Sequence, residues 1–528
     1  MELTVIGFLR VTGMVLSAVC PEGISLAVPS VPPYHAAQRA PLARAIRKRA
    51  AVARRQTEKT HEASQHSGRL GRTSFGFFHY VICVWCFGYL GFFRLCDSFG
   101  FAKPPALANA IQLNLTLRLI GLSFEVYDSW KTDQKLGKLL DPNDTTEASQ
   151  LKLTRDYKSV SVSPVDVICY AYCYIGLFTG PYYKYRTFWD FVYWPTEAPE
   201  GSSDLLLQQL QEAPVFGVAY LILSHFYGVD YVRSDEFSER SFSYRFFYMS
   251  IIFFVFRLRI YFAWKAAECV CMIAGLGAYP AISEPRSGEG PTNLKALKSW
   301  MCAYDPKLQE QNSISSVNFT QSTSNSNRST SANRPTTEAY DYTTIQNISV
   351  WGCEFTPTVR EGMHSWNQTV QYWLATNFHK RCPGNRVLRS TWTMLLSAYW
   401  HGLHPGYYLS FMIIPLALVA ESGLSVLVGA CGEALPSGSL SFFSWILKMR
   451  VFEYCAMGFL LLDARATWDY WHSIGFSVHI VLILVIVLST IVRHFYPRAG
   501  SYMRREPTIS ATEQMARMSE MKIQHMQA

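Results

Sequence analysis

Val478-His479-Ile480-Val481-Leu482-Ile483-Leu484-Val485-Ile486-Val487-Leu488-Ser489-Thr490-Ile491 is almost purely aliphatic and lies inside an apolar run covering residues 474–491. A hydrocarbon core takes about 20 apolar residues per helical span. A helix apolar on every face needs either a deep protein core or lipid around it. Runs of the same character cover residues 388–400, 407–419 and 442–462. Toward the N-terminus they cover 75–96, 106–124, 164–181, 213–227, 242–263 and 266–281. The pattern predicts an all-α, polytopic transmembrane helical bundle with roughly seven to nine membrane helices, because lipid leaves the backbone no other partner than itself. Arg118 and Asn114 inside 106–124 predict a face turned to protein. Short runs and the Gly180-Pro181 break predict helices that enter partway and line a cavity.

Composition agrees. Charged residues make up 16% of the 528-residue chain, against about 25% in an average soluble protein. Aromatics reach 15%, which excludes a disordered chain, collagen and a coiled coil. The net charge of +9 is concentrated at one end: residues 1–80 hold eleven Lys/Arg against four Glu. Such a block suits an anionic leaflet. Nucleic-acid binding is its other use, and nothing else in the chain supports it. The 13 Cys are scattered, and Cys83-x-x-Cys86 lies in an apolar run without a second ligand pair. Buried free thiols are expected there.

The chain divides into a basic, non-core segment (1–74), a first transmembrane block (75–282), a polar low-complexity loop (283–340), a second transmembrane block (341–496) and a polar tail (497–528). The loop owes its character to a Ser/Thr/Asn/Gln run over 311–337, which cannot bury enough apolar area to offset its chain entropy.

Two stretches carry possible chemistry. In Ser397-Ala398-Tyr399-Trp400-His401-Gly402-Leu403-His404-Pro405-Gly406, a histidine closes an apolar run just before a Gly/Pro break. An ionisable group at membrane depth is expensive and usually faces a cavity. Imidazole suits proton transfer near neutrality. The plainer alternative is a core histidine satisfied by a backbone carbonyl. His404 lies three residues on, a spacing that allows a metal pair, but no nearby carboxylate or Cys completes a site. Upstream, Trp366, Val370, Trp373 and Leu374 fall at helical spacing, with Asn367 beside that face. A buried Asn must find partners, either across helices or in a site. G-x-S-x-G, P-loop and Rossmann patterns are missing, and Ser/Cys residues have no legible triad. His-assisted attack by a substrate's own hydroxyl is the enzymatic option left.

Trp366-Asn367-x-Thr369, followed by Ala398-Tyr399-Trp400-His401-Gly402 with His401 34 residues after Asn367, resembles the signature of the membrane-bound O-acyltransferase family. Gly180-Pro181-Tyr182-Tyr183-Lys184-Tyr185-Arg186-Thr187, Ala263-Trp264-Lys265-Ala266-Ala267-Glu268-Cys269 and the run 389–408 are similar to its lysophospholipid-acylating branch. The likeness covers about residues 80–290 and 340–475. It implies a helical bundle around a substrate tunnel in the endoplasmic reticulum membrane. It implies transfer of an acyl group, preferably arachidonoyl, from acyl-CoA to the sn-2 hydroxyl of lysophosphatidylinositol. His401 and Asn367 match the family's catalytic pair. Trp400, His404, Lys184, Arg186, Arg257 and Arg389 are the expected substrate-binding residues, the cations to meet phosphate. No cofactor is expected, acyl-CoA being a substrate. Residues 1–74 depart from the several membrane helices with which the family begins, which implies a variant N-terminal part. The alternatives are the same transfer to another head group, a transporter, or an inactive scaffold. A transporter should carry more intramembrane charge and internal repeats than this chain does.

Overall fold

The computed structural model describes residues 77–138, 146–158, 162, 164–193, 202–304, 340–431 and 438–495. The segments read as a basic block (1–74) and a polar tail (497–528), and the run 311–337, lie outside the described residues. Helices dominate what is described. Strands are limited, among the described residues, to two antiparallel pairs: Tyr279–Pro280 with Tyr340–Asp341, and Pro285–Arg286 with Gly290–Pro291. The second pair and a helix, Leu294–Tyr304, occupy the start of the stretch read as a loop.

Five helical stretches among the described residues are long and apolar enough to cross a membrane: Phe78–Phe99, Leu205–Arg233, Phe242–Ala274, Pro405–Cys431 and Ser477–Phe495. The last contains the aliphatic run 478–491. Val478, Leu482 and Ser489 are its buried residues, whereas Ile480, Val481, Ile483, Leu484, Val487, Leu488 and Ile491 are exposed. So large an outward aliphatic face is a lipid face. The chain is an all-α, polytopic membrane protein.

Four runs behave differently from their sequence reading. The run 242–263 and the first part of the run 266–281 join into one helix, Phe242–Ala274, beyond which Tyr279–Pro280 is a strand. Lys265 does not break it, because its ammonium pairs with Glu268 one turn on at 3.3 Å, and both are buried. The run 213–227 belongs to a longer helix, Ser202–Phe226. The run 164–181 is helical only over Pro164–Ala171. Beyond it the buried Arg118 guanidinium donates to the carbonyls of Tyr170, Ala171, Cys173 and Ile175 at 2.8–3.1 Å. Those carbonyls are thereby satisfied outside a helix ladder.

The described residues fall into two compact units, each discontinuous in sequence. One runs up to Pro214 and includes Ala263–Asn347; the other comprises Val215–Phe262 and the residues from Ile348 on. The first has a core of Leu122, Tyr170, Ile175, Tyr183, Tyr185 and Met272 with their neighbours. The second is built on Met249, Ala417, Ala420, Val451, Tyr454 and Met457.

Small residues set the helix contacts of the second unit, as expected where lipid removes the hydrophobic drive for association. A Cβ on Gly423 would lie 2.5 Å from Ser489 Oγ. A Cβ on Gly406 would lie 2.3 Å from the Gly458 carbonyl oxygen and 2.8 Å from the Leu462 backbone. The Gly406 N–H also donates to the Leu462 carbonyl at 2.7 Å. No flexible side chain can yield there. Gly406→Ala is expected to cost about 1–3 kcal/mol by overpacking. In a thermal melt of the detergent-solubilised protein, that is a midpoint lowered by roughly 5 °C. An unchanged midpoint would show that the backbones can part.

Candidate active site

His401 is the last residue of the helix Arg386–His401. Pro383-Gly384 precedes the helix, and the Asn385 side chain caps it by accepting from the Leu388 N–H at 2.9 Å. Its buried residues are Thr393, Ser397, Ala398 and Trp400, while Val387, Leu388 and Trp392 are exposed. Gly402 ends the helix in extended backbone, its N–H donating to the Ala398 carbonyl at 3.0 Å. A Cβ on Gly402 would meet the Tyr407 ring at 2.5 Å, so glycine lets that ring close over the helix end.

The half-buried His401 imidazole is walled by aromatics. Phe411 stacks on it at 5.3 Å between centroids, and Phe459 meets it edge-on at 5.2 Å. Tyr407 lies 5.9 Å away and packs on Phe459 at 4.7 Å. Trp400 is buried beside it, centroid to centroid 4.7 Å. His404 is exposed, with its ring 6.0 Å from Tyr407.

Asn367 sits where two short helices meet, between Val359–Ser365 and Gln368–Leu374. Its backbone is left-handed, φ 48° and ψ 50°. Asparagine tolerates that region better than any residue but glycine. Its carbonyl accepts the Gln371 N–H at 3.0 Å, which starts the second helix. The Gln371 amide donates back to the Trp366 carbonyl at 2.7 Å and to that of Met363, fixing the turn. Asn367 is half-buried. Val370, Trp373 and Leu374 are buried, as their spacing predicts, whereas Trp366 stands before the helix in extended backbone and is half-buried.

A path of rings joins the two stretches. Trp366 stacks on Phe256 at 6.3 Å, Phe256 packs on Phe459 at 5.8 Å, and Phe459 meets His401. Phe256, Phe411 and Phe459 carry no sequence signal of their own. They are three of 33 Phe, and only the fold brings them to the imidazole.

The cations are placed as follows. Arg389 lies in the first turn of the His401 helix, half-buried. Arg257 is buried, and its Nε meets Glu354 at 2.7 Å, so its charge is matched within the fold. Lys184 and Arg186 belong to the other compact unit. Arg186 pairs with the buried Asp190 at 2.7 Å and lies over the Tyr157 ring at 4.4 Å. Asp190 also accepts from the Tyr157 and Tyr279 hydroxyls, both at 2.8 Å. Lys184 ends a short loop whose next two N–H groups, Tyr185 and Arg186, donate to Glu125 at 2.9 and 3.2 Å. Burial pushes the Lys184 ammonium below the usual lysine range, opposed by the nearby Glu125, Glu289 and Asp128 carboxylates.

A family description, membrane-bound O-acyltransferase, matches residues 99–431. The chain is 40% identical over 431 residues to the membrane-bound acylglycerophosphatidylinositol O-acyltransferase of Xenopus laevis, covering 81% of this chain and 82% of that protein. It is 38% identical over 444 residues to the protein of the same name from Homo sapiens, covering 83% and 84%. The Drosophila melanogaster protein of that name is 34% identical over 401 residues, covering 75% and 74%. Both the His401 helix and the Asn367 turn fall inside the matched span. A histidine at a helix end under an aromatic wall, joined by rings to a left-handed asparagine, thus sits in a chain that belongs to the membrane-bound O-acyltransferase family.

Proposed function

We propose that this protein transfers a fatty acyl group from acyl-CoA to the free sn-2 hydroxyl of lysophosphatidylinositol, with arachidonoyl-CoA the preferred donor, in the endoplasmic reticulum membrane. The observation that carries this reading is the match, over about four-fifths of the chain, to relatives named acylglycerophosphatidylinositol O-acyltransferases.

The chemistry needs little from the enzyme beyond a base, a donor and a dry site. The thioester carbonyl is already electrophilic and the CoA thiolate leaves readily. His401 takes the sn-2 hydroxyl proton as the oxygen attacks. Asn367 donates its side-chain amide to the oxyanion of the tetrahedral intermediate. Collapse breaks the C–S bond, and the imidazolium returns its proton to the thiolate. No acyl-enzyme forms. The Phe411, Phe459 and Tyr407 rings keep water from the thioester, which would otherwise hydrolyse. Trp400 and His404 flank the base and are assigned to the substrate. Among the cations, Arg389 is assigned first to phosphate, because Arg186, Arg257 and Lys184 already face carboxylates.

Membranes expressing the chain, given arachidonoyl-CoA and a panel of lysophospholipids, test the proposal. Product from lysophosphatidylinositol at a rate at least about ten times that from choline, serine or ethanolamine acceptors is expected. Transfer to another head group overturns the acceptor. No transfer from folded, inserted protein overturns the activity.

A further inference from the structure

The segment leading to Asn367 is held by ionisable side chains of neighbouring helices. It consists of the helix Val350–Phe355, a break at residues 356–358, and the helix Val359–Ser365. Each helix end leaves backbone groups without an intrahelical partner. At the first helix's end, Lys448 Nζ donates to the carbonyls of Cys353, Glu354 and Thr356 at 2.9, 3.2 and 2.6 Å. At the start of the second, a Glu421 carboxylate oxygen accepts the N–H groups of Val359 and Arg360 at 2.5 and 3.3 Å. A cation at a helix C-terminus and an anion at an N-terminus both have the favourable sign.

A third grip falls on the Glu354 side chain. Arg257 forms a fork on it, Nε to Oε1 at 2.7 Å and Nη2 to Oε2 at 3.2 Å. The Tyr261 hydroxyl donates to Oε1 at 2.6 Å. The other face of Tyr261 matters more: its ring lies 6.1 Å from that of Trp366, the residue before Asn367. The two short helices are also locked to one another. The Ser349 N–H donates to the Ser365 carbonyl at 2.9 Å, and Gly352 allows Ser365 to approach so closely that a Cβ would fall 2.1 Å from its Oγ. Glu354 is therefore tied through one rigid hairpin and one tyrosine ring to the left-handed turn at Asn367.

The four charges in this cluster, Arg257, Lys448, Glu354 and Glu421, sum to zero. Buried ion pairs contribute little net stability against apolar residues of the same shape. They do impose one geometry, since the Glu354 carboxylate meets the Arg257 fork and the Tyr261 hydroxyl, and Lys448 Nζ meets three fixed carbonyls. We propose that Glu354, gripped by Arg257 and Tyr261, is a positioning residue that fixes the Asn367 amide for the reaction. The inference rests on the reading of Asn367 as a catalytic group.

Tyr261→Phe removes one hydroxyl and keeps the ring on Trp366; Glu354→Gln keeps the volume and removes the charge. Purified variants are compared by steady-state kinetics and by backbone hydrogen exchange. The expected result is a kcat about tenfold lower with KM for both substrates within twofold. Exchange rises over residues 359–371 and stays unchanged over 386–401. In an Asn367→Gly background, Tyr261→Phe lowers kcat less than twofold further. An unchanged kcat, a change confined to KM, or a full additive loss in the Asn367→Gly background overturns the proposal. Exchange is read without substrate. If the wild-type chain makes no product, the functional reading has failed, and unchanged exchange over 359–371 would separately overturn the clamp.

Discussion

His401→Ala lowers kcat for acyl transfer by about 10²–10⁴-fold, the range a lost general base produces. KM for acyl-CoA and for the lysophospholipid stays within about threefold, because proton removal develops only in the transition state. The fold survives. His401 is the last residue of its helix, half-buried, and the cap at Gly402 is made by backbone alone. The packing lost includes the ring contacts with Trp400, Tyr407, Phe411 and Phe459. Steady-state kinetics on protein matched for expression and thermal midpoint checks this. A loss below about tenfold would remove His401 from the proton path. A collapse of the midpoint together with activity would mean that the ring is structural.

Much of this site is legible in the sequence, and the part that is not has a physical explanation. His401 stands out because an ionisable group ends an apolar run. Asn367 stands out because it is a polar residue set beside an apolar, aromatic face. Both signals are local. The wall around the imidazole comes from Phe411, ten residues on, and Phe459, fifty-eight residues on, and nothing in either neighbourhood distinguishes them from lipid-facing phenylalanines. The clamp on the Asn367 hairpin lies between these cases. Lys448 is a charge inside an apolar run and Glu421 lies just past the end of one, which is itself a signal, but their partners are backbone groups that carry no sequence mark.

The fold shows the same division. The aliphatic run 474–491 reads correctly because lipid asks only for composition and length. The run 164–181 does not, because its helix is ended by a side chain fifty residues upstream: Arg118 takes the carbonyls of 170–175. The Lys265–Glu268 pair has the opposite effect, carrying a helix through a point where charge alone suggests a break. Buried ionisable residues are where composition misjudges this chain, because their cost depends on partners that spacing does not reveal.

Asn367 needs two substitutions to separate its backbone from its amide. Alanine confounds them, since at φ 48° a Cβ costs about 1–2 kcal/mol in a left-handed turn. Asn367→Gly adopts that backbone freely and removes only the side chain. Its kcat is expected to fall about 10²–10³-fold, the loss seen when one oxyanion donor is deleted, with the thermal midpoint little changed. Asn367→Asp then decides the role. The carboxylate has nearly the amide's shape, keeps an acceptor and lacks the donor. If the amide donates to the oxyanion, Asp sets negative charge beside negative charge, and its kcat falls below that of Gly. That order is the expected one, measured at saturating concentrations of both substrates. If Asp instead exceeds Gly, the side chain works as an acceptor that orients the attacking hydroxyl, and the oxyanion must be met by another group.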